Sequence, residues 1–137
     1  MSEFRHRLRV RYSECDPQNV VFNARYLEYF DIGMTELWRE TIGPYEPAMR
    51  DHGVDMVVAE ATIRYLSSLR FDEEFDLVMT IKHMGTTSLI TSIKVDSVDG
   101  HRAAEGEMRH VFVRAGTAEK TPIPDPVREA LGPYAAA

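Results

Sequence analysis

The hydrophobic positions of this chain follow a helical period between residues 23 and 41 and a strand period over most of the remaining chain. Between Asn23 and Thr41 the large apolar side chains recur at spacings of three and four residues, which predicts one long amphipathic helix. Its expected buried stripe contains Leu27, Phe30, Met34, Leu37 and Trp38. Asn23 is a favoured N-cap residue, and Gly43-Pro44 is expected to end the helix.

Apolar and polar residues alternate in five other segments, which is the pattern of strands with one buried face. These segments are residues 4–12, 54–66, 74–83, 88–98 and 101–115. The side chains expected to face inward are Phe75, Leu77, Met79 and Ile81, then Leu89, Thr91, Ile93 and Val95, and last Met108, His110 and Phe112. His6 and His110 are expected to be hydrogen-bonded core groups.

The order of these elements predicts an α+β fold, in which a long antiparallel sheet wraps around one central helix. Residues 45–52 suggest a short second helical turn, and Asp99-Gly100 predicts a hairpin. The proline-rich tail, residues 117–137, is expected to be irregular, with at most one short helix near Pro126 to Leu131. Because no second domain is visible, residues 1–137 are interpreted as a single domain.

Composition and charge exclude several classes of partner. The chain has 137 residues, 44% of them hydrophobic and 28% charged, which is typical of a soluble globular protein. The net charge is −6 and no basic cluster stands apart, so nucleic acid is not an expected partner. No apolar run approaches the roughly 18 residues of a membrane span. We therefore expect no membrane insertion, and we expect a cytoplasmic location because the N-terminus resembles neither a signal nor a transit peptide.

Other common sites are also missing from the sequence. The single Cys15 excludes an internal disulfide, and the five histidines show no metal-ligand spacing. No Gly-x-Ser-x-Gly elbow, P-loop or dinucleotide fingerprint is present. We therefore expect no metal and no cofactor.

The predicted sheet leaves one face and one edge strand exposed, so a partner subunit is expected. A symmetric homodimer is the commonest solution, and a homotetramer is the alternative. The arginines that alternate in residues 4–12 are interpreted as a solvated sheet face or a subunit contact rather than as a phosphate site.

Candidate chemistry lies in the loop before the long helix. Asp16-Pro17 and Asn19 are turn residues, and Asn19 adopts the left-handed backbone conformation at low cost. The loop brings the Asp16 carboxylate towards the helix N-terminus, where backbone N–H groups point outward and stabilise negative charge. This pairing suggests a catalytic site, although Asp16 is also a plausible turn and capping residue.

Three stretches resemble the 4-hydroxybenzoyl-CoA thioesterase type of hotdog-fold acyl-CoA thioesterases, which includes the thioesterases associated with the Tol-Pal system. The stretches are YSECDPQNVVF at residues 12–22, IRYLSSLRFD at residues 63–72, and the strand that Ser88 opens after the Gly85 turn. The resemblance covers roughly residues 5–115 and implies the hotdog fold.

The resemblance also implies roles for individual residues. Asp16 would act on the thioester carbonyl as nucleophile or as base for water, and backbone N–H groups at about Phe22, Asn23 and Ala24 would hold the oxyanion. Ser88 would help to place the substrate, and Asn23 would contact the reacting thioester unless it only caps the helix. The acyl group would lie in an apolar slot between two subunits.

The chain departs from the family pattern at three places. Asn23 stands where many relatives carry a histidine, and the turn glycine of many relatives is replaced, with Asn19 near its place. The basic cluster that some relatives use for the CoA phosphates is replaced by residues 84–87, MGTT, so CoA would need other cations such as Arg64, Arg70 or Lys82.

Three functional hypotheses follow from these residues. The first is hydrolysis of an acyl-CoA or acyl-carrier-protein thioester by Asp16. The second is a non-hydrolytic hotdog protein that binds acyl thioesters or organises partners, which the non-titratable Asn23 favours. The third, a hydratase or dehydratase, ranks last because no histidine lies between Phe22 and Thr41.

Overall fold

A computed structural model describes residues 2–136. One helix, α1 (Arg25–Thr41), packs on one face of a five-stranded antiparallel sheet. The strands are β1 (Phe4–Arg9), β2 (Val54–Tyr65), β3 (Glu74–Met84), β4 (Ser88–Ser97) and β5 (Arg102–Arg114), and their spatial order is β1-β3-β4-β5-β2. A short 3-10 turn (Tyr12–Glu14) follows β1, α2 (Tyr45–His52) follows α1, and α3 (Asp125–Leu131) and a second 3-10 turn (Gly132–Tyr134) close the chain.

The inward faces of β3, β4 and β5 are those that the alternating pattern predicts. The inward side chains of β3 and β4 are fully buried, and Met108, His110 and Phe112 of β5 are at most 5% exposed. The short helices and the hairpin at Asp99-Gly100 also form where expected. The antiparallel sheet packed on one long helix confirms the predicted α+β class.

The buried face of α1 differs from the predicted stripe at one position. Leu27 is 43% exposed, whereas Tyr26, Tyr29 and Gly33 are buried beside the other predicted residues. The prediction was wrong at Leu27 because it left the tyrosines out, and the centroid of the Tyr29 ring lies 4.8 Å from that of the buried Phe75. The first strand was predicted over residues 4–12, but β1 ends at Arg9, and Tyr12, which starts the 3-10 turn, is 79% exposed.

The outer face of the sheet is polar. Arg7 makes a two-pronged contact with Asp76, and Arg102 makes one with Asp96. The arginines of β1 are more than half exposed, so they form a solvated, ion-paired face, and the Arg7 guanidinium lowers the pKa of the Asp76 carboxyl. Among residues 2–136, no helix has both the length and the apolar character of a membrane span.

The pairing of β2 with β5 depends on a glycine. Gly106 lies opposite Ile63, and a Cβ at Gly106 would lie 1.9 Å from the backbone oxygen of Thr62. Gly106→Ala therefore forces the two strands apart, and we expect it to lower the free energy of unfolding by about 2–3 kcal/mol. Gly132→Ala is the control, because a Cβ there meets nothing within 4 Å and the φ of Gly132 is −49°. Urea unfolding measures both, and equal effects of the two substitutions would contradict this account.

His110 gives the fold a pH dependence. Burial lowers the pKa of His110 to about 4, against 6.5 for an unburied histidine. As the pH falls below 6.5 the unfolded chain takes up a proton that the folded chain binds only near pH 4, so stability is lost across that window. The full loss is about 3 kcal/mol.

The expected loss is measured as a difference between two proteins. Between pH 7.5 and pH 4, the wild-type protein should lose about 3 kcal/mol of unfolding free energy relative to His110→Leu, which has no group to titrate there. Urea unfolding at several pH values gives the two curves. Parallel curves would show that His110 is not held neutral by the fold.

Candidate active site

A short hairpin loop connects the first 3-10 turn to α1. The Asp16 N–H donates to the Val20 carbonyl at 2.9 Å, and the Phe22 N–H donates to the Glu14 carbonyl at 2.9 Å. Asn19 closes the turn with a φ of 65°, the left-handed conformation predicted for it. The loop therefore holds Asp16 at its tip and leads directly into the helix.

The Asp16 carboxylate is half-buried and partly engaged. Its Oδ1 accepts a hydrogen bond from the Gln18 N–H at 2.8 Å, so Asp16 does have the turn role that the sequence left open. Within residues 2–136, the side chain makes no ion pair and its Oδ2 accepts no hydrogen bond. One oxygen therefore orients the carboxylate, and the other remains free to face a ligand.

The start of α1 differs in detail from the prediction. The helix begins at Arg25, its N-cap is Ala24, and no side chain caps it, so the prediction that Asn23 caps the helix is wrong. Asn23 instead uses its carbonyl, which accepts hydrogen bonds from the Tyr26 N–H at 3.3 Å and from the Tyr65 hydroxyl at 3.1 Å. These bonds fix the backbone from which the Asn23 and Ala24 N–H groups project.

The predicted oxyanion donors are not equivalent. The Phe22 N–H is taken by the Glu14 carbonyl, so it is not available to a ligand, and the prediction for that residue needs correction. Over the part of the chain that the structure describes, the N–H groups of Asn23 and Ala24 have no backbone acceptor. They lie at the positive end of the helix dipole, where an anion is stabilised.

Glu14 ties the loop to the helix, a role that the sequence analysis did not identify. Its Oε1 accepts hydrogen bonds from the Tyr29 hydroxyl at 2.9 Å and from the Arg11 N–H at 2.8 Å. Burial, followed by the hydrogen bond to Glu14, raises the pKa of Tyr29, so Tyr29 stays a donor. Two features of the sequence could have indicated this contact, namely a glutamate two residues before Asp16 and a tyrosine inside the helix.

The second stretch of the family pattern packs against the same loop. Val20 pairs with Arg70, and the Val21 N–H donates to the carbonyl of the fully buried Leu69 at 2.9 Å. Arg70 therefore brings a cation beside the loop that carries Asp16. Within residues 2–136, the Arg70 guanidinium has no ion-pair partner.

Exposed apolar side chains of α1 and β2 lie between this loop and a pocket farther along the helix. β2 runs beside the helix with Tyr65 at the helix start and Val58 farther along. Leu27 lies one helical turn before Asp31, a residue that contacts the same space as Val58. Leu27, Val58 and Tyr65 are 43%, 51% and 53% exposed, which is high for large apolar side chains on adjacent elements. We call these exposed apolar side chains, from the helix N-terminus to the space beside Val58, the groove.

Ser88 lies at the other end of the sheet. Tyr65 pairs with Ala104 of β5 and Ser88 pairs with Val111, so about seven residues, or roughly 23 Å, separate the two ends. Ser88 also precedes the inward-facing Leu89, which directs it to the outer face. Within one chain, Ser88 and Asp16 are not brought together.

One group of potential metal ligands occurs away from the groove. Ligand atoms of Glu73, Asp99 and His101 lie within 4.8 Å of one another. Glu73 already accepts hydrogen bonds from the Arg70 N–H and from the Ser97 hydroxyl, and His101 Nε2 lies 3.2 Å from the Ser68 carbonyl. The Glu73 and His101 side chains are therefore engaged in joining residues 68–73 to the end of β4 and the hairpin after it.

The chain is similar to known proteins over nearly its whole length. The family model described as the thioesterase-like superfamily matches residues 10–131. A putative esterase from Aquifex aeolicus is 29% identical over 128 residues, which cover 93% of this chain and 97% of that protein. The acyl-CoA thioester hydrolase YbgC of Escherichia coli is 27% identical over 110 residues, 80% of this chain and 81% of YbgC.

A solved structure shows the same architecture. The thioesterase superfamily protein from Jannaschia sp. superimposes with a TM-score of 0.90 at 22% identity, and the match covers 99% of this chain and 95% of that one. At this identity the likeness shows the fold alone. The family model, which spans most of the chain, carries the assignment: the chain belongs to the thioesterase-like superfamily and is a thioesterase with the hotdog fold.

Proposed function

We propose that this thioesterase hydrolyses acyl-CoA or acyl-carrier-protein thioesters with Asp16 as the catalytic carboxylate. The observation that supports the proposal most directly is the loop that joins Asp16 to two unpaired helix N-terminal N–H groups. The Asp16 carboxylate is half-buried; its Oδ1 accepts a hydrogen bond from the Gln18 N–H, and its Oδ2 accepts none from the described residues. A relative that is 27% identical over 110 residues is named as an acyl-CoA thioester hydrolase.

In the proposed reaction the thioester carbonyl oxygen accepts hydrogen bonds from the Asn23 and Ala24 N–H groups. In one route Asp16 removes a proton from a water molecule while that water attacks the carbonyl carbon. In the other route the Asp16 carboxylate attacks the carbonyl carbon, and water then cleaves the resulting anhydride. The C–S bond breaks in either route, and water supplies both the proton that the departing sulfur takes up to become the thiol and the oxygen of the carboxylic acid product. Each N–H donor aimed at the oxyanion contributes about 10²–10³ in rate.

Of the cations expected for the phosphates of CoA, Arg70 lies beside the loop that carries Asp16. Lys82 is paired with Glu107, which leaves it less suited to a phosphate. Arg70 is a better candidate, because its backbone pairs with the loop and its guanidinium is exposed. We assign Arg70 to the nucleotide end of CoA and the groove beside α1 to the acyl end.

Asp16→Asn tests the catalytic assignment. The asparagine oxygen keeps the hydrogen bond from the Gln18 N–H, so the turn should persist while the negative charge is lost. We expect turnover to fall by at least about 10²-fold, the low end for a positioned base. A thiol-release assay across short, long and aromatic acyl-CoAs measures the loss.

Asp99→Asn is the matched control, because it makes the same chemical change in the exposed hairpin turn before Gly100. Its turnover should equal that of the wild-type protein, since Asn-Gly is itself a favoured hairpin turn. Unchanged turnover in Asp16→Asn would remove Asp16 from the mechanism. Saturable binding of acyl-CoA without any thiol release would support the non-hydrolytic alternative.

We also propose that two copies of the chain associate through β2. This strand is at the edge of the sheet, it is 12 residues long, and it exposes Val57 and Val58. A long, apolar, unpaired edge is stabilised by pairing with a second strand, and a copy placed there would also cover the groove. The homodimer and the homotetramer predicted from the sequence both contain such a pair.

Two exposed valines provide the test of this interface. Val57 on β2 and Val98 after β4 are both 47% exposed. Lysine on an edge strand opposes association, so Val57→Lys should lower the mass measured by light scattering towards that of one chain, whereas Val98→Lys should not. A wild-type protein that has the mass of one chain at micromolar concentration would contradict the proposal.

A further inference from the structure

The edge strand β2 contains a bulge that restricts how it can pair with another strand. Residues 54–58 of β2 each lie opposite one residue of β5, residues 60–65 do the same, and Ala59 is the extra residue between the two halves. Because side chains alternate between the two faces of a strand, one extra residue exchanges the faces of all the residues that follow it. The two halves of β2 therefore alternate in opposite senses.

The partners on β5 show which residues of each half face the core. In the first half the even-numbered residues face inward, because Met56 lies opposite the buried Phe112. In the second half the odd-numbered residues face inward, because Tyr65 lies opposite the buried Ala104. The residues on the outer face are consequently Asp55 and Val57 in the first half, and Glu60, Thr62 and Arg64 in the second.

The free edge of β2 exposes apolar side chains along its whole length. Four of them are each 46–53% exposed, namely Val57, Val58, Tyr65 and Leu66. They lie in both halves of the strand and on both of its faces, so a ligand on one face would not cover them all. A second strand of similar length would do so, and β2 of a second copy has that length.

Symmetry adds a rule for such a pair. In two antiparallel strands related by a two-fold axis, each contact occurs twice, and directly opposed side chains point to the same face. When the first half of one β2 meets the second half of the other, an even-numbered inward residue must therefore oppose an odd-numbered one. No residue then lies opposite its own copy, although a strand without the bulge would require exactly one such residue on the axis.

One register obeys this rule and pairs the whole strand. If Val54 lies opposite Tyr65 of the partner subunit, all 12 residues of β2 are paired, and we call this the full-overlap register. A slip by two residues in either direction keeps the faces matched but leaves two residues of each strand unpaired. A slip by one residue opposes inward and outward side chains, and in one direction it places Glu60 opposite its own copy.

Charge complementarity favours the same register. Asp55 and Arg64 are exposed on the outer face, and neither makes an ion pair within residues 2–136. In the full-overlap register Asp55 lies opposite Arg64 of the partner subunit, and symmetry repeats the contact. Opposite charges on directly opposed residues stabilise a strand pair. A slip by two residues in either direction loses both contacts.

We propose that two copies of the chain pair through β2 in the full-overlap register, held by two ion pairs between Asp55 and Arg64 of the partner subunit. The register places Val54 of the partner subunit opposite Tyr65, whose hydroxyl donates to the Asn23 carbonyl beside the proposed oxyanion donors. The second copy thus covers the start of the groove. This inference deepens the association through β2 proposed above, and it does not depend on the hydrolase assignment.

Paired cysteines measure the register directly. Cys15→Ser first removes the one native thiol. In that background, Val57→Cys combined with Thr62→Cys places thiols opposite each other on the outer face, so oxidation should join two chains, seen on a denaturing gel without reductant. Each single variant should keep the mass of one chain, because no residue opposes its own copy. The two cysteines of one chain lie about 16 Å apart, too far for a disulfide within the chain.

Two other cysteine pairs are matched controls for the neighbouring registers. Val57→Cys combined with Glu60→Cys, or with Arg64→Cys, reports a slip of two residues in one or the other direction. In the full-overlap register these cysteines are diagonal neighbours about 7–8 Å apart, so they should not form a disulfide. Cross-linking of a control pair or of a single variant, without cross-linking of the Val57→Cys/Thr62→Cys pair, overturns the register.

Reversed charges test the ion pairs without cysteines. Asp55→Arg or Arg64→Asp brings like charges together twice in each dimer, so we expect the dimer dissociation constant from analytical ultracentrifugation to rise about 5–30-fold. The double variant restores opposite charges and should return the constant to within about threefold of the wild-type value. Glu129→Arg, exposed on α3, changes the charge as Asp55→Arg does and should leave the constant unchanged.

The outcomes separate the proposals. A double charge variant that dimerises no better than the single variants overturns the proposed ion pairs. A wild-type protein with the mass of one chain overturns the association through β2 itself. Thiol release from acyl-CoA is measured independently of both, so neither result changes the test of Asp16.

Discussion

The hydrogen bonds that close the loop between Glu14 and Phe22 are the constraint on which the site depends. The Phe22 N–H and the Glu14 carbonyl join the two sides of the loop, and the Glu14 side chain is held in turn by Tyr29 of the helix. The helix is itself fixed, because Phe30 and Leu37 are fully buried against the sheet. Sheet, helix and loop therefore form one connected unit, and the position of the Asp16 carboxylate follows from it.

The same packing determines which surfaces remain available. β5 pairs with β4 on one side and with β2 on the other, so β2 is left at the edge of the sheet and its groove with α1 stays open. The polar outer face, with contacts such as that between Arg7 and Asp76, does not compete for apolar ligands. We therefore expect an acyl chain to lie along the exposed apolar side chains beside α1.

Most of the fold could be predicted from the sequence, because alternation fixes strand faces locally. The inward residues of β3 and β4 are examples. Leu27 and the Asn23 cap were predicted wrongly because helix rotation and helix start depend on tertiary contacts, here the packing of Tyr29 on Phe75 and the bond from Tyr65 to Asn23. The pocket that Trp38 and His110 line between α1 and β2 could not be predicted, since the two residues are distant in sequence and meet only in the folded chain.

The most direct test of the central claim is a crystal structure with an acyl-CoA analogue that has a ketone in place of the thioester. The account predicts that the ketone oxygen lies about 2.7–3.1 Å from the Asn23 or Ala24 nitrogen, with the Asp16 carboxylate beside the carbonyl carbon. A ketone bound away from the helix N-terminus, with Asp16 turned away from it, would contradict the account.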